Sequence, residues 1–128
     1  MIYLDTSVAL AHLLTDDRAP PESIWRQPLV SSRLLEYEIW NRIHAGRLGR
    51  THGDEVRALV GRVALLELVP VVLARALKPF PIPCVPLTPL HLASMDFLIA
   101  RRQMVELASY DEGLRAGARA LDIPLCEL

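Results

Sequence analysis

Asp5 closes the apolar segment MIYLD, and Asp111 follows the apolar segment MVELAS across Tyr110. Each acid stands where a short strand would hand over to a helix, TSVALAHLL after the first and EGLRAGARAL after the second. Taken singly, each has an ordinary use, because an aspartate at that place caps the helix that follows. Taken together they imply more. If the two strands are neighbours, both carboxylates share one crevice and repel, and without a cation one of them tends to take up a proton. A hard divalent ion such as Mg²⁺, held by a few carboxylates and keeping several waters, removes the conflict. A third acid is expected from RLLEYEIWNRIHAGRL, which offers Glu36 and Glu38. On a helical wheel Leu35, Ile39, Ile43 and Trp40 form the buried stripe of that segment. Glu38 flanks the stripe within i,i+4 reach of Arg42, and Glu36 falls closer to its middle, so the wheel does not choose between them.

The stretch PLTPLHLASMDFL poses a separate question. Its apolar run predicts a buried helix, with Thr88 as N-cap and Pro89 at the first helical position, where a missing N–H has no partner to lose. A residue at this helix start points into whatever lies beyond the helix N-terminus, and threonine brings a hydroxyl but no charge. Asp96 lies eight positions on, about 12 Å along the axis and about 80° round it, so it is read as a surface or ion-paired acid. His91, one turn after Thr88, is read first as a packed histidine with its nitrogens hydrogen-bonded. A neutral imidazole suits Mn²⁺ better than Mg²⁺, which leaves a ligand role as the weaker reading.

These groups need a scaffold that brings strand ends to one edge. The chain alternates short apolar strands with helix-like spacing: MIYLD, PLVSS, ELVP, MVELAS and IPLCEL read as strands. Between them lie TSVALAHLL, a short helix after the turn-rich TDDRAPPES, then RLLEYEIWNRIHAGRL, EVRALVGRVALLE, VLARALK, the Pro89 helix and EGLRAGARAL. Thr6 or Ser7 is expected to cap the first helix. Ser31 or Ser32 is expected to cap the helix after PLVSS, and Gly49 to end it. Residues 78–89 carry Pro79, Pro81, Pro83, Pro86 and Pro89, which excludes both a helix and a central strand and predicts an extended connection. Apolar strands without period-2 alternation, each followed by a helix, indicate a parallel sheet covered on both faces. The expectation is a single α/β domain over residues 1–128 with about five strands, binding its ligand beyond the carboxyl ends of the strands where their order reverses.

Composition narrows the function classes. The net charge of −1 excludes a bulk polycation, but Glu38 and Asp54 bracket an acid-free run containing Arg42, Arg47, Arg50, His44 and His52. Such a run suits phosphates, and it equally suits a solvated helix end whose cations face the helix dipole. Apolar residues make up 52% of the chain, yet no uninterrupted run approaches a bilayer span, which predicts no membrane insertion. MIYLDTSVAL has an acid inside its apolar segment and no basic start, unlike a signal peptide, so a cytoplasmic protein is expected. Cys84 and Cys126 have no CxxC spacing and are read as free thiols. A phosphoacceptor receiver shares the fold class but wants paired acids and a lysine near the last strand; Lys78, the single lysine, lies far from it.

MIYLDTSVAL, SSRLLEYEIWNRI, LHLASMDFL and LASYDEGLRAGARALDIPL, in that order, resemble the PIN-domain ribonucleases, in particular the VapC toxins of bacterial toxin–antitoxin pairs. The resemblance covers the whole chain. It implies a three-layer α/β/α sandwich and a Mg²⁺- or Mn²⁺-dependent endoribonuclease, with RNA as substrate, a homodimeric state and a cognate antitoxin as inhibitor. It carries the metal-site acids onto Asp5, Glu38 and Asp111, favouring Glu38 over Glu36. Thr6, Thr88 and Ser109 are then expected to support the site, and Arg42, Arg47 and Arg50, with Arg33, to hold the RNA backbone. The family pattern also calls for an acid three residues before the histidine of LHLAS, and here that place is Thr88. An active nuclease and a weakened one that still binds its antitoxin are both compatible with this pattern.

Overall fold

The computed structural model describes residues 1–14 and 18–128. Strand β1 (Ile2–Leu4) leads into helix α1 (Thr6–Leu13), and a 3-10 turn (Glu22–Arg26) precedes β2 (Leu29–Ser32). Helices α2 (Leu34–Ala45) and α3 (Gly49–Val60) then run to β3 (Val63–Leu66), followed by α4 (Pro70–Ala76) and α5 (Thr88–Ala100). Strand β4 (Glu106–Ala108) and helix α6 (Glu112–Ala120) complete the order. The four strands pair in parallel, in the order β3-β2-β1-β4.

Short apolar strands suit this sheet because both its faces are covered. Ile2 and Leu4 of β1 pack into one core with Val8, Leu35, Ile39, Ile43, Val56 and Leu59, from α1, α2 and α3. Tyr3 points the other way and packs with Leu92, Met95, Leu114 and Ala118, from α5 and α6. Helices therefore lie on both faces, compatible with an α/β/α sandwich. The strand order reverses beside β1: β2 and β3 lie on one side and β4 on the other. A crevice opens beyond the carboxyl ends of strands at such a reversal, here between the ends of β1 and β4.

Several boundaries differ from the sequence reading. The helix expected to run through residue 66 ends at Val60 with Gly61 as its C-cap, and the third strand is VALL rather than ELVP. A continuous apolar run has no period to tell helix from strand, and Pro70 then opens α4 at its first turn, where proline is tolerated. Gly46, not Gly49, closes α2; the chain turns through Arg47 at φ 55°, and Gly49 begins α3. The sheet has four strands rather than about five: IPLCEL contributes one parallel bridge, Leu107 to Leu125. Leu107 N donates to Pro124 O, and Cys126 N donates to Leu107 O, both at 2.8 Å. Pro124 has no N–H to extend that ladder, and β4 offers only three residues to pair with.

The proline-rich connection contains no helix or strand from residue 77 to 87, as expected. Residues 15–17 of the turn-rich TDDRAPPES lie outside the described residues. Cys84 and Cys126 are free and half-buried. Among the described residues, no helix is long and apolar enough to cross a membrane.

Candidate functional site

Asp5 reaches the carboxyl edge because β1 ends at Leu4 and its own extended backbone (φ −85°, ψ 153°) makes it the N-cap of α1. The cap is therefore Asp5 rather than Thr6 or Ser7. Its N–H donates to Ala108 O at 3.0 Å, which ties it to the end of β4. The carboxylate is buried, 6% exposed, and Oδ2 accepts from Ser7 Oγ (2.6 Å) and Ser109 Oγ (2.8 Å). Both hydroxyls have their direction fixed by the backbone after β4. Tyr110 N donates to Ser7 Oγ and Asp111 N donates to Ser109 Oγ, each at 2.9 Å, which leaves each hydroxyl proton for Asp5.

Asp111 is the N-cap of α6, accepting from Leu114 N at 3.1 Å through Oδ1, and it is exposed. Strands β1 and β4 are paired, so Asp5 and Asp111 lie at the same edge, linked through Ser109. Glu38 comes from the adjacent helix α2. Its Oε1 accepts from Thr6 Oγ1 (3.1 Å) and lies 2.7 Å from His91 Nε2. Glu36, by contrast, is half-exposed and pairs with Arg33 at 3.6 Å. The position nearer the middle of the wheel is not the one that faces the crevice, because α2 is covered on two sides, by α1 and by α3.

Each of the three acids thus commits one oxygen to an internal hydrogen bond, while Asp5 Oδ1, Glu38 Oε2 and Asp111 Oδ2 accept none among the described residues. They are hard donors. Among the described residues, however, no group of three or more His, Cys, Asp or Glu residues gathers closely enough to hold an ion as a closed cage. Mg²⁺ is commonly bound by one or two carboxylates with water completing its shell, and the donors present fit that mode rather than an all-protein cage.

Thr88 is buried (7% exposed) at the start of α5, but it does not cap the helix. The cap position falls to Leu87 in the left-handed region (φ 75°), whose carbonyl accepts from Leu90 N and His91 N. An N-cap side chain works from an extended backbone, and the chain leaving Pro86 is not extended at Leu87. Among the described residues the Thr88 hydroxyl makes no hydrogen bond. His91, one turn on, spends both nitrogens, Nδ1 on Tyr3 Oη (2.8 Å) and Nε2 on Glu38, so in this arrangement it has no lone pair free for a metal. Asp96 pairs with Arg75 at 3.0 Å, the ion-paired role expected of it.

The expected RNA-binding arginines separate. Arg42 lines an open pocket of about 370 Å³ with Ser7, Arg18, Tyr110 and Asp111, whereas Arg33, Arg47 and Arg50 are not among its lining residues. Arg33 donates to Glu67 through Nε (3.0 Å) and Nη2, a pairing that holds its guanidinium above and the Glu67 carboxyl below their usual ranges. Arg47 and Arg50 are exposed at the α2–α3 junction. The sequence reading passed over Arg18 and Arg115. Arg18 lies 4.9 Å from the Tyr110 ring centroid, and Arg115 Nη1 donates to Ser109 O at 3.1 Å. Ser7, expected only as a possible cap, and Tyr3, expected only as a strand residue, both belong to the site's hydrogen bonding; the pattern DTS and the period-2 position of Tyr3 in its strand are the available signals.

Compared with known proteins, the chain matches no family model and no curated protein.

Proposed function

We propose that the chain is a divalent-metal-dependent endoribonuclease of the PIN-domain kind, the toxin of a toxin–antitoxin pair. The observation that carries this reading is the hydrogen-bonded linkage of three acids at the carboxyl edge: Ser109 joins Asp5 to the backbone of Asp111, and Thr6, the next residue after Asp5, donates to Glu38. Each acid is fixed through one oxygen, and the other accepts no hydrogen bond among the described residues. Hydrogen bonds that hold carboxylates in place, without using up their lone pairs, suit a site that must take a cation on arrival.

The residues that would hold Mg²⁺ or Mn²⁺ are Asp5 and Glu38, with Asp111 acting directly or through water. When bound, such an ion supplies an activated water and offsets charge on a phosphodiester. The protein's own part is positional. Ser7 and Ser109 orient Asp5, Thr6 orients Glu38, and Arg42 and Arg18 line the approach beside Asp111, where a phosphate backbone is attracted. RNA as substrate, the antitoxin partner and a homodimer rest on the sequence resemblance.

A second reading is favoured by one specific observation. Thr88 puts a neutral hydroxyl where the pattern calls for a carboxylate, and among the described residues that hydroxyl has no hydrogen-bond partner and no three-ligand cluster forms. On this reading the chain keeps the fold and its antitoxin surface with little turnover. The deciding experiment compares RNA cleavage by the chain as it stands with cleavage by Thr88→Asp, each with Mg²⁺, Mn²⁺ or chelator. Chelator-sensitive cleavage by the unaltered chain is the expected result and removes the weakened reading. Cleavage only after Thr88→Asp establishes the weakened reading. Failure of both proteins, on RNAs that VapC toxins cut, removes the ribonuclease assignment.

A further inference from the structure

His91 is almost fully buried (3% exposed) on α5, and it forms the middle of a continuous chain that begins in the sheet and ends at the candidate site. Tyr3, wholly buried on β1, meets its Nδ1 at 2.8 Å, and its Nε2 meets Glu38 Oε1 at 2.7 Å. The two rings are held edge to face, with centroids 5.9 Å apart and planes at 84°. A phenol is protonated near neutral pH, so the buried Tyr3 has a proton to give. With Tyr3 donating to Nδ1, a neutral His91 carries its own proton on Nε2 and donates to Glu38. This tautomer is assigned from the network.

We propose that His91 is a positioning residue for Glu38: with Thr6 it clamps Oε1, so that Oε2 is presented at the carboxyl edge before a cation arrives. The proposal rests on the metal-dependent reading above. A glutamate has several rotatable bonds, and ordering such a side chain costs up to about 2 kcal/mol. Glu38 sits on an outer helix and is partly open to solvent, so packing alone does not fix its head group. Two donors from different elements, Thr6 beside Asp5 and His91 on α5, fix it relative to both walls of the crevice. A histidine satisfied merely as a core residue would need no acceptor at the site. Here one of its two bonds goes to Glu38, the acid that also accepts from Thr6 beside Asp5. A site with threonine at position 88 has one carboxylate fewer, and orientation of those that remain therefore weighs more in its affinity for a cation.

The test is a double-mutant cycle read as Mn²⁺ affinity, from the electron paramagnetic resonance signal of the free ion, with thermal unfolding recorded alongside. His91→Leu should weaken Mn²⁺ binding by about tenfold, as loss of a group that orients a ligand does. His91→Gln, whose amide nitrogen reaches toward Glu38, should restore most of it. In a Glu38→Gln background, His91→Leu should cause no further loss. Equal losses in both backgrounds would overturn the clamp, because His91 would then act through general packing. Should His91→Leu fail to fold, Tyr3→Phe keeps the ring and removes only the proton donor, and it should still weaken Mn²⁺ binding; unchanged binding would overturn the proposal. Independently, ¹⁵N spectra of the imidazole should show a proton on Nε2 and none on Nδ1, and the opposite tautomer would also overturn it. Mn²⁺ binding that ignores His91→Leu defeats the clamp alone, whereas no Mn²⁺ binding by the unaltered chain defeats the metal-dependent reading and the clamp with it.

Discussion

The two charged regions of this molecule are built in opposite ways. At the carboxyl edge, Asp5 is nearly buried and its Oδ2 takes two hydroxyl donors, each oriented by a backbone N–H from the chain after β4. At the α2–α3 junction, Arg47 and Arg50 stand in solvent with no ion pair among the described residues. Asp5 and Asp111 are placed by strand ends and helix caps, where the backbone itself fixes direction, and Glu38 by the two side chains that meet its Oε1. The arginines sit on long, mobile side chains whose heads remain in water. The difference teaches that geometry is invested where a small ion must be held, and left loose where only an attractive field is needed.

The largest effect should separate the two glutamates of α2. Glu38→Gln should reduce Mn²⁺ affinity by about 10- to 100-fold, while Glu36→Gln, which changes only an exposed pair with Arg33 at 3.6 Å, should leave it unchanged. Calorimetric titration of each variant measures this. A larger loss for Glu36→Gln would place the organised edge around the wrong residue and dissolve the contrast.

The fold class was legible because apolar strands alternating with helices leave little choice but a covered parallel sheet. Asp5 and Asp111 were legible as strand-end acids, and their shared edge followed once β1 and β4 proved to be neighbours. Glu38 was not separable from Glu36 by a helical wheel. The wheel sees one buried stripe, and α2 is contacted by both α1 and α3. Thr88 looked like a cap, and only the left-handed backbone at Leu87 shows that it is not. The Tyr3–His91–Glu38 chain spans 88 residues in its first link and 53 in its second, so nothing local in the sequence announces it. The strand VALL was hidden by its own uniform hydrophobicity.

A smaller effect should come from the hydroxyls that organise the edge. Ser109→Ala removes the donor at 2.8 Å to Asp5 and, at 0% exposure, the acceptor for Asp111 N–H. Burying an unpaired polar group costs about 1–3 kcal/mol. Chemical denaturation should therefore show a lower unfolding midpoint with an unchanged slope, and Mn²⁺ affinity should fall as Asp5 loses one of its two hydroxyl donors. A variant as stable as the original would mean that water replaces the hydroxyl, and that the edge is less rigid than its hydrogen bonds indicate.

The smallest effect tests the loose side of the comparison. Arg42 is exposed, has no partner among the described residues and lines the pocket beside Asp111. Arg33 is already committed to Glu67 and Glu36. If the arginines act as a field, Arg42→Ala should weaken single-stranded RNA binding and reduce the slope of log affinity against log salt by about 0.7, the signature of one phosphate contact. Arg33→Ala should leave that slope alone, since a guanidinium held by two carboxylates has little attraction left for a phosphate. Filter binding of a short RNA across a salt series, with Mn²⁺ withheld so that no cleavage intervenes, gives both slopes. A reversed outcome, with Arg33 carrying the slope and Arg42 silent, would require the Glu67 pair to open on contact with RNA. The backbone would then cross the start of α2 rather than pass beside Asp111.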